Sequence, residues 1–299
     1  MRRNTLPLSY ALCGLMLSLG CAAGDPTQTG AQHTVILEAL PPPPAAAAGE
    51  AQPNLTAPAS FINFRDLGGA RVGQDQAVRR GLVFRSGHFD AATDNDLRTL
   101  VGELGVQRYY DLRACREGDD DSALQAAGLT VVHLPCSGRD DPFFSLSQPS
   151  VAQWSAFYLR TFHRHGRQFA QLCRELANQS TPLVFGCSLG KDRTGVAAAL
   201  LQVALGVDRE QILRDYEATT AEVKQHVDAY SRSWQSLGLQ RDDFVQYYMT
   251  ADRRIMQQFL DGLLFEYGSY AQALAAVGVD APTVATLKKR LLHRVALPG

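Results

Sequence analysis

Pro182-Leu183-Val184-Phe185-Gly186-Cys187-Ser188-Leu189-Gly190-Lys191-Asp192-Arg193-Thr194-Gly195 runs from a strand signal, through a loop, into a helix signal. Pro182 to Phe185 opens a continuous apolar run, as expected of a strand buried on both faces. Gly195 to Gly206 carries no charge and is rich in Ala, Leu and Val, which predicts a core helix. Within the loop, Cys187 and Arg193 stand with five residues between them. That spacing alone is common by chance. With Gly190 inside it, Thr194-Gly195 after it, a buried strand before and a core helix behind, the combination is specific.

A loop of this kind handles anions. Between a strand and a helix N-terminus, successive backbone N–H groups turn inward and the helix dipole adds positive potential, so a phosphate fits. The same field favours the thiolate of a cysteine at the loop's base, which makes Cys187 the candidate nucleophile. Arg193, a planar fork of donors, can hold two phosphate oxygens into the transition state. Ser188, Leu189, Gly190, Lys191 and Thr194 complete the expected phosphate-binding set, with the Thr194 hydroxyl placed to donate to the sulfur as leaving group. The expected reaction is attack of Cys187 on phosphorus, a cysteinyl-phosphate intermediate and its hydrolysis.

Outward from the loop, strands and helices alternate. Strands are expected at Gly81 to Arg85, Val106 to Leu112 and Leu129 to Leu134. Thr93 with Asp96 three residues on opens a helix to Leu104, a short helix lies around Ser122 to Ala127, and Ser150 to Ala177 is one long or two broken helices. Beyond Asp208 the pattern is helical almost to the end. This order predicts an α/β domain with a mainly parallel central sheet flanked by helices.

These residues resemble the cysteine-dependent tyrosine phosphatases, specifically the secreted bacterial group whose loop reads His-Cys-x-x-Gly-Lys-Asp-Arg-Thr-Gly. Asn63-Phe64-Arg65-Asp66-Leu67-Gly68-Gly69, Arg79 to His88, Asp111-Leu112-Arg113 and Tyr267-Gly268-Ser269-Tyr270 are similar to that group's other motifs, in the same order. The resemblance implies a tyrosine-phosphatase fold and activity on phosphotyrosine, with extension to phosphoserine, phosphothreonine and phosphoinositides. It also puts Arg65, Asp66, Arg85, Asp111 and Arg113 near the site, where an Arg-Asp brace of the fold explains them equally well.

Gly186 departs from the pattern, standing where the group has His. That leaves two classes open: an active, slower phosphatase, or a phosphate-binding pseudoenzyme. For the general acid, Asp192 is the first choice. Asp140 and Asp141, before the aromatic pair of Asp141-Pro142-Phe143-Phe144, are the second, on a loop able to close over substrate. Lys191 offers a second cation suited to multiply phosphorylated head groups, or is a solvated loop residue. Tyr230, Trp234, Phe244, Tyr247 and Tyr248 read as core or as a helical lid that would shield the thiolate from oxidants. His88, His133, His163 and His165 show no ligand spacing and read as structural. No metal or organic cofactor is implied.

Composition and the chain ends complete the reading. Of 299 residues, 45% are hydrophobic and 20% charged, which fits a globular chain and excludes a mostly disordered one. A net charge of −1 gives no global signal for nucleic acid. Arg2 and Arg3 precede an uncharged stretch whose apolar part, Leu12 to Leu19, is too short to span a bilayer, so residues 1–20 read as a signal peptide. Leu17-Ser18-Leu19-Gly20-Cys21 resembles a lipobox, giving lipidation of Cys21 and membrane attachment; ordinary cleavage near Ala23 is the other reading. Residues 21–60, rich in Pro and Ala, form a tether, and residues 61–297 the phosphatase domain. The expected location is periplasmic or at the cell surface as a lipoprotein, or secreted. No C-x-x-C pair is present among the six Cys.

Overall fold

Strands form in all four stretches where the sequence predicts them, and four further short strands join them among the described residues. The computed structural model describes residues 58, 60–114, 120–136 and 145–296. The signal and tether segments, Cys21, Cys115, Asp140 and Asp141 lie outside them. The described strands are β1 (Arg65–Asp66), β2 (Arg71–Val72), β3 (Gln76–Val78), β4 (Val83–Ser86), β5 (Arg108–Asp111), β6 (Thr130–His133), β7 (Leu183–Gly186) and β8 (Leu292–Arg294). The helices are α1 (Asp94–Arg98), α2 (Ser122–Ala126), α3 (Val151–Asn178), α4 (Arg193–Leu205), α5 (Arg209–Lys224), α6 (Ser231–Ser236), α7 (Arg241–Phe244), α8 (Arg253–Tyr267), α9 (Tyr270–Ala276) and α10 (Ala281–Leu291).

The central sheet has the order β1-β4-β7-β5-β6. Its β4-β7, β7-β5 and β5-β6 pairs are parallel and β1-β4 is antiparallel. Leu183 and Phe185 of β7 join Val83 and Tyr110 in the larger core, under α3, α4, α5, α8 and α10. Val184 joins Phe84, Tyr109, Leu97 and Leu100 in a smaller core on the other face. Both faces of β7 are therefore covered, which is why its sequence is an unbroken apolar run. Each of these large side chains contributes about 1.5–3 kcal/mol through burial.

Helix ends follow local signals. Thr93 and Asp96 form the expected capping box, but after Arg98 the helix continues as a π-turn over Thr99–Glu103. Ser150 forms a second box with Gln153, and α3 is broken by a kink at His165 into two helical stretches, the second of the two forms expected. Helix α4 stops at Gly206, which takes a left-handed conformation.

The register positions the site. Ser86 of β4 and Asp111 of β5 both lie opposite Gly186 of β7. Three parallel strands thus end at one level, and the segments that follow them converge at the carboxyl edge of the sheet, where open α/β sheets bind ligands.

Candidate active site

The loop from Cys187 to Asp192 is held by its carbonyls. The Ser188 carbonyl accepts from the Tyr230 hydroxyl at 3.1 Å and the His88 N–H at 3.3 Å. The Leu189 carbonyl accepts from Asn63 Nδ2 at 3.1 Å, and the Gly190 carbonyl from Arg85 Nη2 at 2.7 Å. In a planar trans peptide the N–H points opposite to the C=O. Three carbonyls drawn into the protein therefore turn the N–H groups of Leu189, Gly190 and Lys191 the other way, into the loop. Among the described residues, none of the backbone N–H groups from Ser188 to Asp192 donates to protein. Asp192 stands at the N-cap of α4 but its side chain makes no capping bond, so the first-turn donors of that helix are also unclaimed. A run of free donors at a helix N-terminus is an anion cradle.

At its base is Cys187, a free thiol only 2% exposed. Arg193 closes the other side, its Nη2 donating to Ser188 Oγ at 3.2 Å and Nη1 to the Leu112 carbonyl at 3.4 Å. The Cys136 N–H donates to the same Leu112 carbonyl, and burial pushes the Cys136 thiol up to about 12. The Thr194 hydroxyl, expected on the sulfur, donates instead to the Ser86 carbonyl at 3.4 Å and is fully buried.

Two glycines shape the turn. Gly190 has φ +67°, and a Cβ there would come within 2.6 Å of the Ser86 backbone. At Gly186, a Cβ would lie 2.6 Å from the Gly87 carbonyl oxygen, 2.9 Å from that of Ser86 and 3.2 Å from Tyr109 Cε2. With β4 this close to β7, a side chain at 186 would force main chain to shift, and glycine suits the pairing.

The Lys191 side chain is turned away from the cradle. The Lys191 ammonium is fully buried, 3.9 Å from the centre of the Trp154 ring and 2.9 Å from Asp192 Oδ1, an ion pair without hydrogen-bond alignment. Its expected role as a second cation facing substrate does not match this placement: what Lys191 presents to the loop is its backbone N–H. The Tyr158 hydroxyl donates to Asp192 Oδ1 at 2.7 Å and lies 2.7 Å from the Tyr216 hydroxyl.

The five supporting residues divide. Arg85 bonds both the Gly190 carbonyl and Asp215 Oδ2. Arg65 reaches Asp215 Oδ1 at 2.7 Å, Thr219 Oγ1 at 3.1 Å and Asn63 Oδ1. Burial pulls the Arg65 guanidinium down to about 10, still protonated at neutral pH. Burial would raise the Asp215 carboxyl, but Arg85 and Arg65 outweigh it and hold the group below the usual range. Asp66 does not reach the loop; it accepts from the Gly68 and Gly81 N–H groups, bracing two turns, and burial raises its pKa. Asp111 and Arg113 pair at 2.7 Å, and Arg113 also binds Asp90 at 2.9 Å, a clamp at the end of β5. Asn63, Trp154, Tyr158 and Asp215 were missed in the sequence; only Asn63 lay in a motif that pointed at it.

The aromatic set after α5 mostly packs inward. Phe244 stacks on Tyr248 at 5.3 Å, Tyr248 meets Trp154 edge-on at 5.8 Å, and Phe244 and Tyr248 are both buried. Tyr230 is the member that touches the loop. Among the described residues, no group of three or more His, Cys, Asp or Glu side chains could hold a metal ion.

Fold and loop together define an α/β domain with an anion cradle, a cysteine at its base and an arginine at its rim. The chain belongs to the tyrosine phosphatase family, whose sequence pattern matches residues 57–293. It is 34% identical over 185 residues to a Cupriavidus necator protein named as a tyrosine-protein phosphatase, covering 59% of this chain and 67% of that one. It is 28% identical over 193 residues to the triple specificity protein phosphatase PtpB of Mycobacterium tuberculosis, covering 54% and 68%. Among solved structures, the catalytic core of the S. cerevisiae PP-IP phosphatase Siw14 overlaps with a TM-score of 0.34 at 14% identity, covering 67% of this chain and 91% of that one. P. aeruginosa TpbA overlaps with a TM-score of 0.28 at 17% identity, covering 67% and 90%. Overlaps this weak say nothing of function.

Proposed function

We propose that this tyrosine-phosphatase-family enzyme hydrolyses phosphomonoesters through a cysteinyl-phosphate intermediate, with phosphotyrosine in protein as its substrate class. The observation that carries this reading is the run of unpartnered N–H groups from Ser188 to Asp192 around Cys187, with their carbonyls anchored outward. The phosphoryl group sits in the cradle, its charge met by the loop amides, the α4 N-terminus and Arg193. Cys187 Sγ attacks phosphorus as the ester oxygen leaves with a proton from Asp192. Water then attacks the S–P bond's phosphorus, restoring the thiolate and releasing phosphate.

The placement of Lys191 supports a single-phosphate substrate, because its ammonium is occupied by Trp154 and Asp192 and adds no second cation to the pocket. The relative named for triple specificity makes phosphoserine, phosphothreonine and phosphoinositide the other arms of the test. Hydrolysis of p-nitrophenyl phosphate and a phosphotyrosine peptide, abolished in Cys187→Ser, is expected. Binding of phosphate without hydrolysis in the wild type would make the chain a phosphate-binding pseudoenzyme.

At the N-terminus, the proposal is export with a lipid on Cys21, residues 21–60 acting as tether to a membrane. Mass spectrometry of the exported protein tests it: a diacylglyceryl mass on an N-terminal Cys21 supports it, and an unmodified N-terminus near Ala23 rejects it.

A further inference from the structure

Asp192 is held by two helices that the loop motif does not include. Tyr158 on α3 donates to Asp192 Oδ1, and since its single proton is used there, the 2.7 Å contact with Tyr216 on α5 has the Tyr216 hydroxyl donating to Tyr158. Both phenols are fully buried, and burial followed by the Asp192 charge raises their pKa values well above the ordinary one, so both remain donors. On the other side, Lys191 is pinned against Oδ1 from beneath the Trp154 ring, and Trp154 is itself fixed by Nε1 donating to the Tyr247 carbonyl at 2.9 Å. Every described contact falls on Oδ1.

We propose that Tyr158, backed by Tyr216, is a positioning residue for catalysis: it fixes the Asp192 carboxyl by Oδ1, leaving Oδ2 for the leaving-group oxygen. This rests on the reading of Asp192 as general acid. The titratable and charged groups around Asp192 are Lys191 and Arg193 in its own loop, Tyr158 from α3 and Tyr216 from α5. Arg85 on β4 and, more weakly, Asp252 at the start of α8 act in turn on Tyr216. Without that bond the carboxyl can turn about its Cβ–Cγ bond, and Oδ2 is no longer held towards the leaving group.

The experiment is the pH dependence of kcat on a phosphotyrosine peptide for wild type, Tyr158→Phe, Tyr216→Phe, Asp192→Asn and the Asp192→Asn/Tyr158→Phe double variant. Thermal melting and inhibition by inorganic phosphate report the intact loop. kcat should fall about tenfold in Tyr158→Phe and by less in Tyr216→Phe, with KM unchanged. The double variant should match Asp192→Asn. If Tyr158→Phe does not fold, the Tyr216→Phe kcat carries the test. Should Asp192→Asn flatten the basic limb of the profile while the phenylalanine variants keep the wild-type kcat, the positioning role is overturned. Unchanged kinetics in Asp192→Asn would overturn the general-acid reading, and the positioning role with it.

Discussion

Placing His at position 186 should weaken the protein. The Cβ of any residue at 186 would meet the Gly87 carbonyl at 2.6 Å and the Ser86 carbonyl at 2.9 Å, both main-chain atoms of the paired segment. Main chain cannot swing aside as a side chain can, so β4 and β7 must part. Overpacking of a tight interior costs about 1–3 kcal/mol, and a backbone collision belongs at the upper end, about 3 kcal/mol. For a domain of this size that is a fall in Tm of about 6–12 °C. Because the clash is at Cβ, Gly186→Ala should lose nearly as much as Gly186→His. Thermal unfolding and p-nitrophenyl phosphate hydrolysis of both variants provide the assay. A Gly186→His protein with unchanged Tm and higher turnover would refute the steric reasoning.

Asp215→Asn strands the fully buried Arg85 and its neighbour Arg65, and should cost about 3–5 kcal/mol in urea unfolding while abolishing activity, since Arg85 also holds the Gly190 carbonyl. The lowered Asp215 pKa fixes the acid side. Its contribution is full above the ordinary Asp value of about 4, and is lost as pH falls through the lower folded value, an acid-unfolding step that Asp215→Asn should lack. Arg193→Lys keeps the charge but loses the planar fork, so kcat/KM should fall about 100-fold or more in steady-state assays with the fold intact. Tyr230→Phe frees one bond on the Ser188 carbonyl and should weaken competitive inhibition by inorganic phosphate several-fold without changing Tm by more than about 2–4 °C.

Much of this could be read from the chain because it was written locally. The buried strand β7, its loop and α4 are contiguous, and their apolar runs differ from everything around them. The Thr93 and Ser150 caps were likewise local. What escaped was set by contacts distant in sequence. Strands β1, β2, β3 and β8 have two or three residues each, too few to show alternation, and β8 exists because Gln76 to Val78 pair with Leu292 to Arg294 across the chain. Asp215 lies 150 residues from Arg65 in an ordinary helical pattern. Trp154 and Tyr158 repeat at helical spacing and look like any core face; nothing local shows that one caps an ammonium and the other binds the loop carboxylate. Lys191 was misread for the same reason: its charge is visible in sequence, its burial under Trp154 is not. Gly186 looked like a missing residue, whereas the close approach of Gly87 means that a side chain there would displace main chain.

The central claim is that phosphate passes through the sulfur of Cys187. Rapid acid quench of the enzyme during turnover of a phosphotyrosine peptide, followed by digestion and mass spectrometry, tests this directly. A phosphate mass on the peptide containing Cys187, absent in Cys187→Ser, is the expected result. Turnover with no phosphorylated enzyme at any quench time, or turnover that survives Cys187→Ser, would contradict it.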